Sequence, residues 1–274
     1  MNIRETMTAA AEIRKLTITA MEAAGYGHIG GSMSICDLLA VLYTDVMRVD
    51  PQNPDKADRD WLVLSKGHCG PALYAALAYR GYFDKAELRS LNADGTRLPS
   101  HCDRLKTTGV DISTGSLGQG ISLAAGVALG NKMQNIHSHI YVILGDGELQ
   151  EGQNWEAFQF LAHRQLENLT VIIDANKRQL DGYTEEICRP FDLREKFDSF
   201  GLSTLEANGH DVQAIHQTLA EKPQVLVLYT IKGHGCNFAE IEGFNHYMVV
   251  TPEMAENACA EIDDRLRRAY ELLG

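Results

Sequence analysis

The residues best suited to chemistry are Gly145-Asp146-Gly147, which close the apolar run Ile140-Tyr141-Val142-Ile143-Leu144, and Asn176, just past the next such run, Leu169-Thr170-Val171-Ile172-Ile173. Runs of this kind read as strands. In a strand–helix–strand crossover both positions fall on the carboxyl edge of a parallel sheet, where ligands bind. If the strands are neighbours they lie about 4.8 Å apart. A carboxylate and an amide oxygen then converge on one cation, at about 2.0–2.1 Å for magnesium. Gly147 lets the backbone come close to a ligand, and the helix that follows offers free N–H groups to an anion. Asp146 repels a phosphate unless a divalent cation lies between them, so the pattern predicts a magnesium-bridged diphosphate. Singly, Asp146 reads as a helix cap and Asn176 as a turn residue; their placement at two strand ends, one crossover apart, favours the metal.

These residues need a scaffold, and the remaining pattern supplies one. Residues 4–24 read as a helix, with Ile13, Leu16, Ala20 and Met21 on helical spacing. Ser34 is placed to cap a second helix through about Met47. Trp61-Leu62-Val63-Leu64 suits a strand, a helix over about 71–80 follows, and Asp84 with Glu87 opens another. Beyond about 118 a small-residue helix precedes the Ile140 strand, and a helix near 150–165 leads to the Leu169 strand. A helix after Asp211, the strand Val225-Leu226-Val227-Leu228-Tyr229 and a helix over about 252–272, with Pro252 in its first turn, complete the series. Continuous apolar strands alternating with helices predict an α/β fold, a doubly wound and mainly parallel sheet with helices on both faces. Two irregular stretches, about 92–117 and 232–250, are rich in Gly, His and Thr/Ser and predict ligand contact.

Composition narrows the class. At 274 residues, 45% hydrophobic and 23% charged, the chain is ordinary globular material. No repeat or linker divides it, so residues 1–274 are expected to form one domain. Lys plus Arg number 25 against 37 Asp plus Glu, and 25 − 37 = −12 argues against nucleic acid as a partner. The six cysteines form no Cys-x-x-Cys pair, which predicts reduced thiols rather than disulfides or a zinc knuckle. Charged residues interrupt the first twenty positions, and no apolar run approaches a membrane span. A cytoplasmic protein without a membrane partner is expected.

The motifs resemble those of the transketolase family of thiamine diphosphate enzymes. Gly145-Asp146-Gly147 with Asn176 resembles the cofactor motif, and the blocks around it narrow the family. These are Gly27-His28-Ile29-Gly30-Gly31-Ser32, Leu64-Ser65-Lys66-Gly67-His68, Thr114-Gly115-Ser116-Leu117-Gly118-Gln119-Gly120 and Gly145-Asp146-Gly147-Glu148-Leu149-Gln150-Glu151-Gly152. The likeness covers nearly the whole chain and only the first third to half of a full transketolase, so it implies the N-terminal subunit of a split, two-chain enzyme.

The resemblance implies thiamine diphosphate with Mg2+, or Ca2+ or Mn2+ in its place. It puts Asp146, Asn176 and the Arg178 carbonyl on the metal. Gly147 would donate its N–H to the diphosphate, with Gly145 and Glu148 beside it. Gly115, Ser116 and Leu117 would contact the cofactor, and His28, His68, His101 and His246 would face its thiazolium end and the substrate. Glu151 would join a carboxylate network with a C-terminal partner subunit, which supplies the activating glutamate in a heterotetramer of two copies each. Substrates would be sugar phosphates. Alternatives are a 2-oxo acid decarboxylase alpha-like or deoxyxylulose phosphate synthase-like chain, or a non-catalytic cofactor-binding module.

Where relatives often carry Pro after the matched histidines, this chain has Ile29 and Cys102, and Cys102 is expected to be an accessible thiol. His234 is evenly balanced between a role and none; His137, His139, His163, His210 and His216 are expected at the surface. Gly25-Tyr26-Gly27-His28-Ile29-Gly30 satisfies a dinucleotide pattern literally, but a helix precedes it where the mechanism requires a strand.

Overall fold

The computed structural model describes residues 1–241 and 244–273. Five parallel strands make the central sheet: β2 (Trp61–Leu64), β3 (Ile140–Gly145), β4 (Leu169–Ala175), β5 (Thr204–Asn208) and β6 (Val225–Tyr229), in the order β2-β3-β4-β6-β5. A two-stranded antiparallel pair, β1 (Tyr26–Gly27) with β7 (Met248–Val249), ties the two ends of the chain together. Every strand foreseen from sequence is present. The edge strand β5, of which only Thr204 is buried, was not foreseen, nor were β1 and β7.

Alternate residues of each strand enter separate cores, as a period of two requires. Leu62, Leu64, Tyr141, Ile143, Ile172, Leu226 and Leu228 pack beneath the helices Ile3–Ala24, Cys36–Val41, Gly70–Arg80, Val212–Ala220 and Pro252–Leu273. Val63, Ile140, Val142, Leu144, Val171, Ile173, Val225 and Val227 pack beneath Gln119–Met133, Gly152–Arg164 and Leu193–Ser199. Both faces are therefore covered, which is why the strands carry few polar residues.

Two local expectations change. Ser34 does not cap a helix running to Met47: it ends the short helix Ile29–Met33, Ile35 precedes Cys36–Val41, and Leu42–Val46 is a π-turn. The Ser34 hydroxyl is drawn instead to Asp174 Oδ2 at 2.7 Å. Asp84 does cap, accepting from Ala86 N–H at 2.8 Å, but Glu87 pairs with Arg97 rather than closing a capping box over a short 3-10 turn.

The stretch 92–117 is irregular as expected. The stretch 232–250, of which residues 242 and 243 lie outside the described residues, carries the short helix Asn237–Glu240 and β7. Among the described residues no helix is long and apolar enough to cross a membrane.

Candidate active site

Strands β3 and β4 are neighbours, with Gly145 opposite Asp174, so Asp146 and Asn176 emerge side by side at the carboxyl edge. Beneath them lies a carboxylate that sequence reasoning missed. Asp174, 1% exposed, accepts from Lys66 Nζ (2.5 Å), Ser34 Oγ (2.7 Å), Asn176 Nδ2 (2.8 Å) and, through its other oxygen, Thr230 Oγ1 (2.5 Å). The signal was present: a charge inside the fully buried β4 needs a partner. Lys66 stands in one of the matched blocks, but nothing local to that block indicates its role.

Asp174 orients the metal ligand expected beside it. Because Asn176 Nδ2 is committed to Asp174, its Oδ1 faces away, where it accepts from Arg178 N–H at 3.0 Å. Asp146 is 4% exposed, so its end of the sheet is enclosed rather than solvated. It accepts from Gly147 N–H (2.9 Å) and Lys177 N–H (2.6 Å). Burial and the Asp174 charge nevertheless push its pKa up to about 7, against the pull of these N–H groups and Lys66. This is an enclosed carboxylate short of positive charge. With the Asn176 amide and the main chain at Arg178 it offers hard oxygen donors, the set magnesium takes. The cap and turn geometry of Asp146 and Asn176 is present too, and each oxygen keeps a further lone pair. The Gly147 N–H, expected on a diphosphate, here bonds Asp146; a Cβ at Gly147 would stand 2.9 Å from Gln179 Cβ.

The four expected histidines converge. The His28 ring centroid lies 5.3 Å from that of His68, 5.6 Å from His101 and 5.2 Å from His246, and His68 lies 4.8 Å from His246. Burial, then neighbouring positive charge, lowers His28 to about 4 and His246 to about 3. His68 falls well below its ordinary value from burial and Lys66, and burial lowers His101. At neutral pH all four are uncharged bases. Lys232, also missed, donates to Gln179 O (3.2 Å) and meets His246 Nδ1 (3.3 Å); burial and Lys66 lower it to about 8.

Backbone bonds clasp these segments. Gly30 N–H donates to Asn245 O (3.0 Å), Gly233 N–H donates to Gly30 O (2.9 Å), and Asn245 Nδ2 donates to Lys232 O (3.0 Å). A Cβ at Gly30 would lie 2.3 Å from Asn245 O and 2.9 Å from Lys232 Cγ, so only glycine allows the approach.

A cavity of about 370 Å³ runs from the histidines to Asp146 and Asn176. Gly115, Leu117, Gly145, Gly147, Glu148, Glu151 and Arg178 line it with them, as do the unforeseen Gly31, Lys66, Gln150, Gln179, Leu180 and Lys232. Ser116 is exposed and outside that lining. Glu148 is turned inward, accepting from Ser65 Oγ (2.5 Å), Gly118 N–H (2.8 Å) and Gly145 N–H (3.1 Å), and so braces three segments of the rim. Glu151 is exposed at the start of Gly152–Arg164.

Elsewhere the expectations need correction. Cys102 is 3% exposed, with its thiol pushed up to about 12 by burial, and is not an accessible nucleophile. His137 and His163 are at the surface and His216, part-exposed, meets Asp45 there at 2.6 Å, but His139 bonds Thr170 Oγ1 at 2.9 Å. His210 is an internal residue whose Nδ1 lies 2.9 Å from Asp37 Oδ2. His234 stays out of the cavity, stacked on His210 with centroids 3.6 Å apart. All six cysteines are free thiols.

Comparison with known proteins agrees with this geometry. The family described as "Transketolase, thiamine diphosphate binding domain" matches residues 5–251. The chain is 48% identical to the 6-deoxy-6-sulfo-D-fructose transketolase subunit SqwG of Clostridium sp. (strain MSTE9), over 92% of this chain and 94% of that protein. It is 36% identical to one subunit of the apulose-4-phosphate transketolase of Phocaeicola vulgatus, over 93% and 92%. The crystal structure of transketolase from Campylobacter jejuni superposes with a TM-score of 0.89 at 29% identity, covering 96% of this chain and 43% of that one. The chain thus spans less than half the length of that solved transketolase. With its sheet, its paired strand ends and its matched sequence, the chain belongs to the transketolase family, as a thiamine diphosphate binding domain.

Proposed function

We propose that this chain works as a single domain, the diphosphate-binding N-terminal subunit of a two-chain transketolase. It would transfer a two-carbon ketol unit from an anionic ketose to an aldose acceptor. The convergence of His28, His68, His101 and His246 beside the Asp146–Asn176 edge carries the reading. A module that only stored the cofactor would not need four uncharged imidazoles at one end of its cavity.

Thiamine diphosphate, when bound, supplies the electron sink for carbon–carbon cleavage. Asp146, Asn176 and the Arg178 carbonyl would hold its magnesium, and Gly147 would turn its N–H to the diphosphate. The main chain at Gly115 and Leu117 would bind its aminopyrimidine. Uncharged at pH 7, imidazoles of this cluster would take a proton from the donor's hydroxyl and return one to the product, with His246 on the donating side. Lys232 Nζ, donating toward His246 Nδ1, leaves the ring proton on Nε2 of a histidine that lines the cavity.

A C-terminal companion would contribute the activating glutamate and meet Glu151, in a heterotetramer of two copies each. Support comes from the two relatives named as subunits, which the chain matches nearly end to end. Of their two substrates the sulfonated ketose is favoured, since identity is 48% to that enzyme and 36% to the apulose-4-phosphate enzyme. Sulfonate and phosphate are both tetrahedral anions, so ketose phosphates remain in the substrate class.

The test is turnover by the purified chain with and without its companion, using 6-deoxy-6-sulfofructose, fructose 6-phosphate and pyruvate as donors. Activity with an anionic ketose only when both chains are present is expected. Turnover by the single chain, or preference for pyruvate, overturns the reading.

A further inference from the structure

We propose that His210 is a positioning residue for Lys232, gripping the backbone next to it from outside the cavity through a relay that starts at Arg14. The inference rests on the functional reading above for its consequence, though not for its geometry. Arg14 Nη1 donates to Asp37 Oδ1 at 3.0 Å, and its Nη2 donates to Asp37 Oδ2. Asp37 Oδ2 also lies 2.9 Å from His210 Nδ1, and Ile231 N–H donates to His210 Nε2 at 2.8 Å. A backbone N–H can only donate, so Nε2 carries the lone pair and the ring proton sits on Nδ1, facing the carboxylate. Asp37 therefore selects the one neutral tautomer able to hold Ile231. The His210 side chain is 10% exposed and that of Asp37 8%, so water competes weakly for the bond between them, while Ile231, at the outer end of the relay, is 51% exposed.

The same unit grips the far side of Lys232. Arg14 Nε donates to His234 O at 3.3 Å, and the His234 ring stacks on His210. With Gly233 held by Gly30, the backbone is fixed at Ile231, Gly233 and His234, and the residue among them is the one whose ammonium enters the cavity. A metal ion is a poorer account of the cluster, although ligand atoms of Asp37, His210 and His234 lie within 4.8 Å of one another. Both Asp37 oxygens face Arg14, and both His210 nitrogens are engaged.

The experiment separates the two ring nitrogens. His210→Asn retains a donor toward Asp37 but loses the acceptor for Ile231, whereas His210→Gln retains an acceptor with the reach of Nε2. Amide exchange is read on the full chain without cofactor. In His210→Asn, exchange across 231–234 should rise about tenfold, as loss of one hydrogen bond implies, with the amides of β3 and β4 unchanged. His210→Gln should restore most of that protection. In the assembled enzyme, thiamine diphosphate affinity should fall in His210→Asn and recover in His210→Gln, both with magnesium present. Unchanged exchange at Ile231 in His210→Asn, a rise spread evenly over the sheet, or a glutamine variant as loose as asparagine overturns the relay. Failure of the wild-type enzyme to bind the cofactor would instead sink the functional reading, leaving the exchange result to decide the relay.

Discussion

Lys66 Nζ lies 2.5 Å from Asp174 Oδ2, with the two side chains 2% and 1% exposed. They come from β2's following loop and from β4, on either side of β3, so the pair fastens three strand ends beneath the cavity. Removing one partner leaves a buried charge uncompensated, which costs about 3–5 kcal/mol. Lys66→Met should lower unfolding stability by that order. The double variant Lys66→Met/Asp174→Leu should lose less than the sum of the two single changes. Additive losses in urea unfolding would show that the pair is not coupled.

Asp146 should prove dispensable for folding and indispensable for the cofactor. Its carboxylate is enclosed beside Asp174, so replacing it relieves repulsion. Asp146→Ala should fold with a melting temperature no lower than wild type at pH 8. It should bind no thiamine diphosphate in the presence of magnesium by calorimetry. Retained affinity would remove Asp146 from the metal.

Acid should weaken the fold through the cavity histidines, an effect partly offset by Asp146, whose carboxyl, held up to about 7, takes up its proton first in the folded state. His28, His68, His101 and His246 are held below the ordinary histidine value by burial, and in the unfolded chain they regain it. Below about pH 6.5 these four histidines bind more protons in the unfolded state, so their contribution to stability falls as pH drops from there toward 4. The exposure of His101 and the partial exposure of His28, His68 and His246 screen their share. Denaturant midpoints taken between pH 8 and 5 should decline, and His28→Asn should flatten the decline. A flat profile in Asp146→Ala, where that offset is absent, would mean that the histidines are solvated.

Gly30→Ala should loosen the clasp between the His28, Lys232 and His246 segments, since its Cβ would meet Asn245 O at 2.3 Å. Backbone must shift, at a cost of about 1–3 kcal/mol. Thermal unfolding should register that loss, with cofactor affinity reduced in parallel. Gly126→Ala, in the helix Gln119–Met133 with nothing within 4 Å of the added carbon, serves as the control and should lose no stability.

The amino-acid sequence by itself determined the alternation of apolar strands and helices. It also determined the two strand ends bearing Asp146 and Asn176, and the glycine-flanked histidines that resemble transketolase. Such features repeat at the period of a helix or a strand, or sit within a few residues of one another, so chain-local geometry makes them visible. The tertiary structure alone decided the rest. Lys66 and Asp174 are 108 residues apart, and Asp37 and His210 173 apart, so nothing local marks either as a pair. Ser34 had two uses for its hydroxyl, and the buried charge of Asp174 outcompeted a helix cap. Cys102 looked free until the packing of the loop around it closed. A buried polar group takes whatever partner the fold brings within reach, and that choice is made in space rather than along the chain.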